Sequence, residues 1–113
     1  MTLSTTATGY YYTFMYATFG VNTPLADTGN NTTKFIYTGQ TSNNGNGAEI
    51  TVINPYLAKP TYVNSDVYAG NGTYAGHLTG VLSNTTSYTS FVLAPNAGTI
   101  TGGTITVYGY RLG

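Results

Sequence analysis

Charged residues are scarce in this 113-residue sequence. It contains three Lys and Arg, three Asp and Glu and one His, so that 5% of its residues are charged and the formal net charge is zero. A globular domain usually has about a quarter of its residues charged and a net charge that keeps copies apart. The low charge removes the basic stripe through which nucleic-acid-binding proteins release counterions, so we expect no nucleic-acid partner. It leaves a surface of hydroxyls, amides and tyrosine rings, which favours association with other protein surfaces.

Cysteine is absent, which excludes disulfides and thiolate metal sites and leaves stability to strand packing and partners. The three acids, Asp27, Glu49 and Asp66, lie on separate predicted elements, and His77 is the only histidine. No short spacing of metal ligands, paired carboxylates, Gly-x-Ser-x-Gly motif or phosphate loop is found. We therefore predict no enzymatic activity, with no catalytic residue, cofactor or metal.

Long apolar runs are also missing. Residues 1–21 have no Lys or Arg ahead of their apolar stretch, and threonines interrupt that stretch before it reaches a membrane-spanning length. The sequence therefore predicts neither a signal peptide nor a transmembrane helix, and no membrane partner.

What the chain has in abundance is threonine, tyrosine and glycine, at 23, 12 and 15 residues. Thr, Tyr, Val, Ile and Phe favour strands, and the runs of helix formers are missing. Gly and Asn clusters, among them 43–47 and 71–72, mark turns at the spacing of a sandwich or barrel. We predict one all-β domain over 10–113, a β-sandwich or jelly-roll-like fold of about seven short antiparallel strands without significant helix, preceded by an N-terminal arm over 1–9. The predicted strands are 10–19, 33–38, 48–54, 61–68, 73–80, 87–94 and 103–110.

The predicted strand 103–110 alternates apolar residues with threonines, as a half-buried strand does. We expect it to pair with 87–94 through the loop 95–103. Ile100 lies at the tip of that loop among small polar residues. It either anchors a partner or folds back over the end of its own sandwich.

The predicted strand 10–19 is apolar on both faces, so both faces require cover. Either another subunit covers one face, or this is the central strand of its own sandwich. Tyrosine suits an interface because it buries a large ring while its hydroxyl finds a hydrogen bond. We also expect the N-terminal arm to be held against a neighbour. The predicted interface residues are Leu3, Tyr10, Tyr11, Tyr12, Phe14, Tyr16 and Ile100.

The C-terminal third has a recognisable pattern. Residues 83–95 form an Asn/Thr-rich lead into an aromatic stretch, and residues 98–110 end in Gly-Gly-Thr-Ile-x-Val-Tyr-Gly-Tyr after a Pro-x-x-Gly loop. This pattern resembles the closing hairpin of small all-β virion proteins of tailed bacteriophages, namely capsid decoration (cement) proteins and tail-fibre heads. The resemblance covers these residues only.

The resemblance implies a location in the virion. The small size and the lack of a heptad or shaft-like repeat favour a decoration protein over a fibre. We therefore predict a structural protein on the capsid surface that binds the outside of the major capsid protein shell, stabilises it, and associates with itself as a homodimer or homotrimer. The alternative is a tail-fibre or spike head, or a carbohydrate-binding domain, in which exposed tyrosines stack on the sugars of host-surface glycans.

Overall fold

The computed structural model describes residues 1–39, 45–69 and 73–110, and within these ranges the chain forms seven strands and no helix. All strand pairs are antiparallel, which confirms the predicted all-β class. The predicted turn 71–72 lies outside the described residues, as does the first part of the turn 43–47. The strands are β1 (Thr2–Leu3), β2 (Tyr10–Thr18), β3 (Pro24–Thr32), β4 (Asn46–Ile53), β5 (Thr61–Ala69), β6 (Tyr74–Leu82) and β7 (Phe91–Val92).

The strands form a five-stranded sheet in the order β3-β2-β6-β5-β4 and a two-stranded sheet of β1 and β7, in a sandwich-like arrangement. The tyrosine-rich β2 is therefore an interior strand, paired with β3 on one side and β6 on the other. β3 and β4 are the two edges of the larger sheet. Two arrangements were considered for this strand, cover of one face by another subunit or a central position in its own sandwich, and the structure shows an interior position.

One face of the five-stranded sheet, called the inner face here, carries the core. Alternate residues of β5, from Thr61 to Ala69, are buried on it, while the residues between them face outward or are half-buried. Tyr10, Tyr12 and Phe14 of β2 face the same way. The core cluster consists of Met1, Leu3, Tyr10, Tyr12, Phe14, Phe35, Val63, Val67, Leu78, Leu82 and Tyr88.

The cover over the inner face includes Phe35 from the stretch 33–38, which does not form the predicted strand. Met1 engages the backbone of Phe35 instead: the N-terminal ammonium donates to the Phe35 carbonyl at 2.7 Å, and the Phe35 N–H donates to the Met1 carbonyl at 3.0 Å. Tyr37 then takes a left-handed conformation with φ of 61°, which ends any extended run. The strand that sequence reasoning missed is β3, whose Asp, Gly and Asn residues indicated a turn.

The N-terminal arm packs on its own chain, whereas the sequence led us to expect contact with a neighbour. Leu3 is buried in the core and β1 pairs with β7, with Thr2 opposite Val92. The Tyr10 hydroxyl accepts a hydrogen bond from the Leu3 N–H at 2.9 Å and donates one to the Thr6 carbonyl at 3.0 Å. The arm is thus part of the core.

The predicted hairpin between 87–94 and 103–110 is wrong. Only Phe91–Val92 of the first stretch forms a strand, and its partner is β1. Residues 103–110 form no strand and are exposed. β7 has only two residues and already pairs with β1. Its remaining edge is too short to hold an eight-residue strand beside it.

Two glycines of β6 lie beneath aromatic rings on the inner face. A Cβ added at Gly80 would lie 2.6 Å from Phe35 Cε1, and one added at Gly76 would lie 2.7 Å from Phe14 Cε2. The Phe35 ring packs edge-on against Tyr10 at 4.9 Å between centroids. Rings covering bare glycine backbone in this way protect the sheet hydrogen bonds and explain why β6 carries no side chain at these two positions.

Candidate functional site

Residues 99–110, called the C-terminal segment here, are exposed throughout. Ile105 and Val107 are 64% and 68% exposed, and the rings of Tyr108 and Tyr110 lie almost entirely in solvent. Within the part of the chain that the structure describes, this segment makes no hydrogen bond. Its residue types are those that favour a strand, whereas its side chains are as exposed as those of a linker.

Such a segment is suited to binding protein. Its Thr-Ile-Thr-Val-Tyr alternation places apolar side chains on one face of an extended chain, and its free N–H and C=O groups can pair with the edge of a sheet. Contiguous exposed apolar residues of this kind mark interaction sites, because leaving them in water forgoes their burial energy.

The outer face of the five-stranded sheet, opposite the core, has a different character. One row across all five strands consists of hydroxyl and amide side chains. In register, Thr28, Thr13, Thr79, Asn64 and Thr51 lie side by side from β3 to β4. Such a row offers donors and acceptors without charge.

Beside that row lies an open cleft of about 470 Å³, called the tyrosine cleft here. Tyr11 of β2 and Tyr62 of β5 stand in the adjacent row with Val81 between them, and the two tyrosines are 36% and 48% exposed. None of the described residues that line the cleft is charged. Its lining is Tyr11, Tyr12, Thr13, Thr28, Gly29, Asn30, Tyr62, Thr79, Gly80 and Val81. The cleft can stack a flat apolar ligand face against a ring and hydrogen-bond its edge.

Asp66, His77 and Thr79 meet on the outer face next to the tyrosine cleft. His77 Nδ1 lies 2.7 Å from Asp66 Oδ1, and His77 Nε2 lies 3.1 Å from Thr79 Oγ1. The order of acid, imidazole and hydroxyl matches that of hydrolases, but the His77 and Asp66 side chains are 52% and 69% exposed. On neighbouring regular strands open to water, the three groups form a surface hydrogen-bond chain with no enclosed position for a substrate.

The largest pKa shifts in the described part of the chain are those of the Met1 ammonium and the Tyr37 hydroxyl. Burial, and secondarily the Lys34 charge, lowers the pKa of the Met1 ammonium from 8.0 to about 6. A hydrogen bond to the Asp27 carboxylate, together with burial, raises the pKa of Tyr37 to about 12. Both groups belong to the cover over the inner face, away from the tyrosine cleft and the C-terminal segment.

The seven predicted interface residues divide between the core and the surface. Leu3, Tyr10, Tyr12 and Phe14 are at most 7% exposed within their own chain, and Tyr16 is half-buried against Phe14. Tyr11 lies in the tyrosine cleft and Ile100, 51% exposed, lies in the C-terminal segment. Ile100 is not part of the core cluster.

Tyr62 is a cleft residue that sequence reasoning missed. The alternation of the predicted strand 61–68 was the signal, since Val63 and Val67 on one face put Tyr62 on the other. The meeting of Asp66 with His77 was missed because it depends on the β5–β6 register, where these two residues are directly opposite each other.

Searches against protein-family models, curated proteins and solved structures find no match for this chain. Within the described ranges, no group of three or more His, Cys, Asp or Glu is placed to hold a metal ion. No helix there is long and apolar enough to cross a membrane.

Proposed function

We propose that this protein is a structural subunit of a tailed-phage particle, a decoration protein that binds the outer surface of the major capsid shell and stabilises it. One observation carries the proposal. The C-terminal segment, whose sequence resembles phage virion proteins, is exposed and unpaired in the isolated chain. A chain with this feature is completed by another protein.

The energetics of the segment fit attachment to a repeating shell. Fully burying a Val or Ile side chain contributes about 1.5–3 kcal/mol, before the cost of ordering the segment is subtracted. Ile105 and Val107 therefore supply a modest contact between each copy and its neighbours on the particle. On a symmetric shell the same contact recurs at every equivalent position, so weak individual binding yields a firm coat.

Purified shells lacking this protein provide the test. Shells mixed with the wild-type chain should sediment with it and resist disruption at higher temperature, because subunit boundaries are bridged. The double variant Ile105→Thr/Val107→Thr should sediment poorly and give no protection. Thr keeps the β-branched shape of these residues and removes apolar surface.

Val21→Thr is the matched control, since Val21 is 51% exposed but lies outside the segment. It should bind shells like the wild type. A wild-type protein that neither sediments with shells nor changes their disruption temperature would refute the proposal.

The tyrosine cleft favours a second candidate function, the binding of uncharged glycans. Sugar rings present an apolar face to aromatic side chains and hydroxyls to polar ones, and Tyr11, Tyr62 and the threonine row offer both in a cleft without charge. Tyr11→Ala and Tyr62→Ala should each abolish binding of neutral oligosaccharides on a glycan array. Tyr56→Ala, at a 71% exposed tyrosine away from the cleft, should not. Absence of array binding by the wild type would refute this function.

A further inference from the structure

We propose that the C-terminal segment of one copy of this chain adds as a sixth strand to the β4 edge of a second copy. The inference rests on the proposed function only in treating the chain as an assembly subunit. It names the partner that covers the segment, and it is testable without a capsid.

β4 is a suitable acceptor because the core is incomplete beside it. Among the described residues β4 pairs with β5 and with no other strand. Its inner-face residues Ile50 and Val52 are only half-buried, whereas Val63 and Val67 on β5 are 0% and 2% exposed. An additional strand beside β4, with apolar side chains on the inner face, would cover Ile50 and Val52 in the same way that β4 flanks the buried residues of β5.

The C-terminal segment matches this edge in pattern. Ile105 and Val107 have the same spacing of two residues as Ile50 and Val52, so both pairs can share the inner face. Thr106 then lies opposite Thr51 on the outer face, whether the added strand runs parallel or antiparallel. The segment carries no charge that this pairing would have to desolvate.

The other edge of the sheet is a poorer template. β3 begins with Pro24, which has no N–H to donate, and its Asp27 lies opposite Phe14 on the inner face, where an added apolar strand would have to cover a charge. Glu49 of β4, in contrast, lies opposite Asp66 on the outer face. The β2–β3 register also shifts between Tyr10 and Tyr12, which bends this edge. Proline, charge and bulges are the features that protect edge strands from pairing.

A second copy is favoured over the chain's own β4. The Tyr88 N–H donates to the Pro55 carbonyl, which places residue 88 close to the end of β4. Because β7 holds Phe91 and Val92 in place, the free tether is residues 93–103, which span roughly 35 Å when extended, compared with a longest dimension of 43 Å. The segment has the length to reach its own β4, yet in the single chain it is not paired there. Reciprocal exchange between two copies would bury both segments in two identical contacts and close a twofold dimer.

Engineered cysteines test the pairing directly, because the chain has no native cysteine. The full-length variants Thr51→Cys and Thr106→Cys change exposed side chains that face each other in the proposed register. Mixing the two single variants under mild oxidation should give a disulfide-linked heterodimer as the main product. Thr28→Cys on the β3 edge, mixed with Thr106→Cys, is the matched control and should give little.

The oligomeric state gives an independent measurement. Light scattering should report twice the 11.9 kDa chain mass for the wild type, and Ile105→Lys should reduce it to the mass of one chain. A monomeric wild type whose Thr51→Cys/Thr106→Cys double variant forms an intramolecular disulfide would overturn the inference, because the segment would then cover its own β4. Equal cross-linking to Thr28→Cys would overturn it too.

The two proposals fail separately. A dimer that cross-links as expected but ignores shells refutes the decoration function and leaves strand exchange standing. A monomer that coats and stabilises shells does the reverse.

Discussion

Gly80→Ala is the substitution whose outcome follows most directly from the packing on the inner face. The added Cβ would lie 2.6 Å from Phe35 Cε1 and 2.9 Å from the Tyr11 carbonyl oxygen. Neither neighbour can yield easily. The Phe35 ring is fully buried and packed against Tyr10, and Tyr11 lies in the middle of the β2–β6 ladder.

Two opposing effects set the magnitude. Inserting a methyl group into a filled core costs about 1–3 kcal/mol. Replacing glycine by alanine returns about 0.4–1 kcal/mol by restricting the unfolded chain. The net expectation is a loss of about 1–2 kcal/mol in the free energy of unfolding, and a melting temperature lower by about 4–10 °C.

Urea unfolding followed by circular dichroism and tyrosine fluorescence measures the effect, since the chain has no tryptophan. Gly39→Ala is the control: its Cβ would lie 3.7 Å from the Ala48 Cβ, an ordinary contact, and its stability should equal or slightly exceed that of the wild type. In a Phe35→Leu background the cost of Gly80→Ala should shrink, because the ring edge is gone. A Gly80→Ala protein as stable as the wild type, or an unchanged cost in that background, would refute the packing argument.

Three further predictions concern buried polar groups. The pKa of the Met1 ammonium falls from 8.0 to about 6 on folding, so the folded state binds fewer protons than the unfolded state between pH 6 and pH 8. The free energy of unfolding should therefore rise by about 1–2 kcal/mol from pH 6 to pH 8. Urea titrations in a His77→Gln background measure this rise. Thr61→Val should raise the free energy of unfolding by about 1 kcal/mol, because the buried Thr61 hydroxyl has no partner among the described residues. Tyr10→Phe should lower it by about 1–2 kcal/mol, because the buried Leu3 N–H loses its acceptor.

Each of these predictions has a control. Acetylating the N-terminus removes the titrating group and should flatten the pH dependence; a profile that stays steep would point to another group. Ser65→Ala is the counterpart of Thr61→Val, since the Ser65 hydroxyl donates to the Thr38 carbonyl at 2.9 Å, and it should destabilise because that carbonyl loses its donor. Tyr11→Phe, at an exposed hydroxyl, should leave stability unchanged, and an equal loss in both tyrosine variants would contradict the Tyr10 argument.

β4 was predicted from the alternation of its side chains, β5 and β6 from the Gly and Asn turn signals around them, and β2 from its density of strand-forming residues, and all four were found within a few residues of their bounds. β3 was missed because an edge strand open to solvent tolerates Asp, Gly and Asn, which elsewhere signal turns. The stretch 33–38 was misassigned because Phe35 and its neighbours are apolar for a different reason, namely that they cover the core.

The candidate surfaces could be predicted from the sequence only in part. The two-residue period of a strand puts Tyr11 on the face opposite Tyr10 and Tyr12, but the position of Tyr11 beside Tyr62, with Val81 between them, depends on the strand order, which no local pattern encodes. Residues 103–110 were predicted to be a strand from their alternation, and the structure shows no strand there. What the sequence could not reveal is that this stretch has no strand partner among the described residues.

The pairing of β1 with β7 has a consequence for how the chain acquires its structure. Thr2 lies opposite Val92, so the β1–β7 ladder cannot form until residues 91 and 92 are available. Contacts between such distant positions slow folding, because a large loop must close before they contribute. A growing chain would lack β7 and the buried Tyr88 of the core cluster for most of its synthesis. We therefore expect folding to be completed after the chain has emerged, with partial chains at risk of aggregation until then.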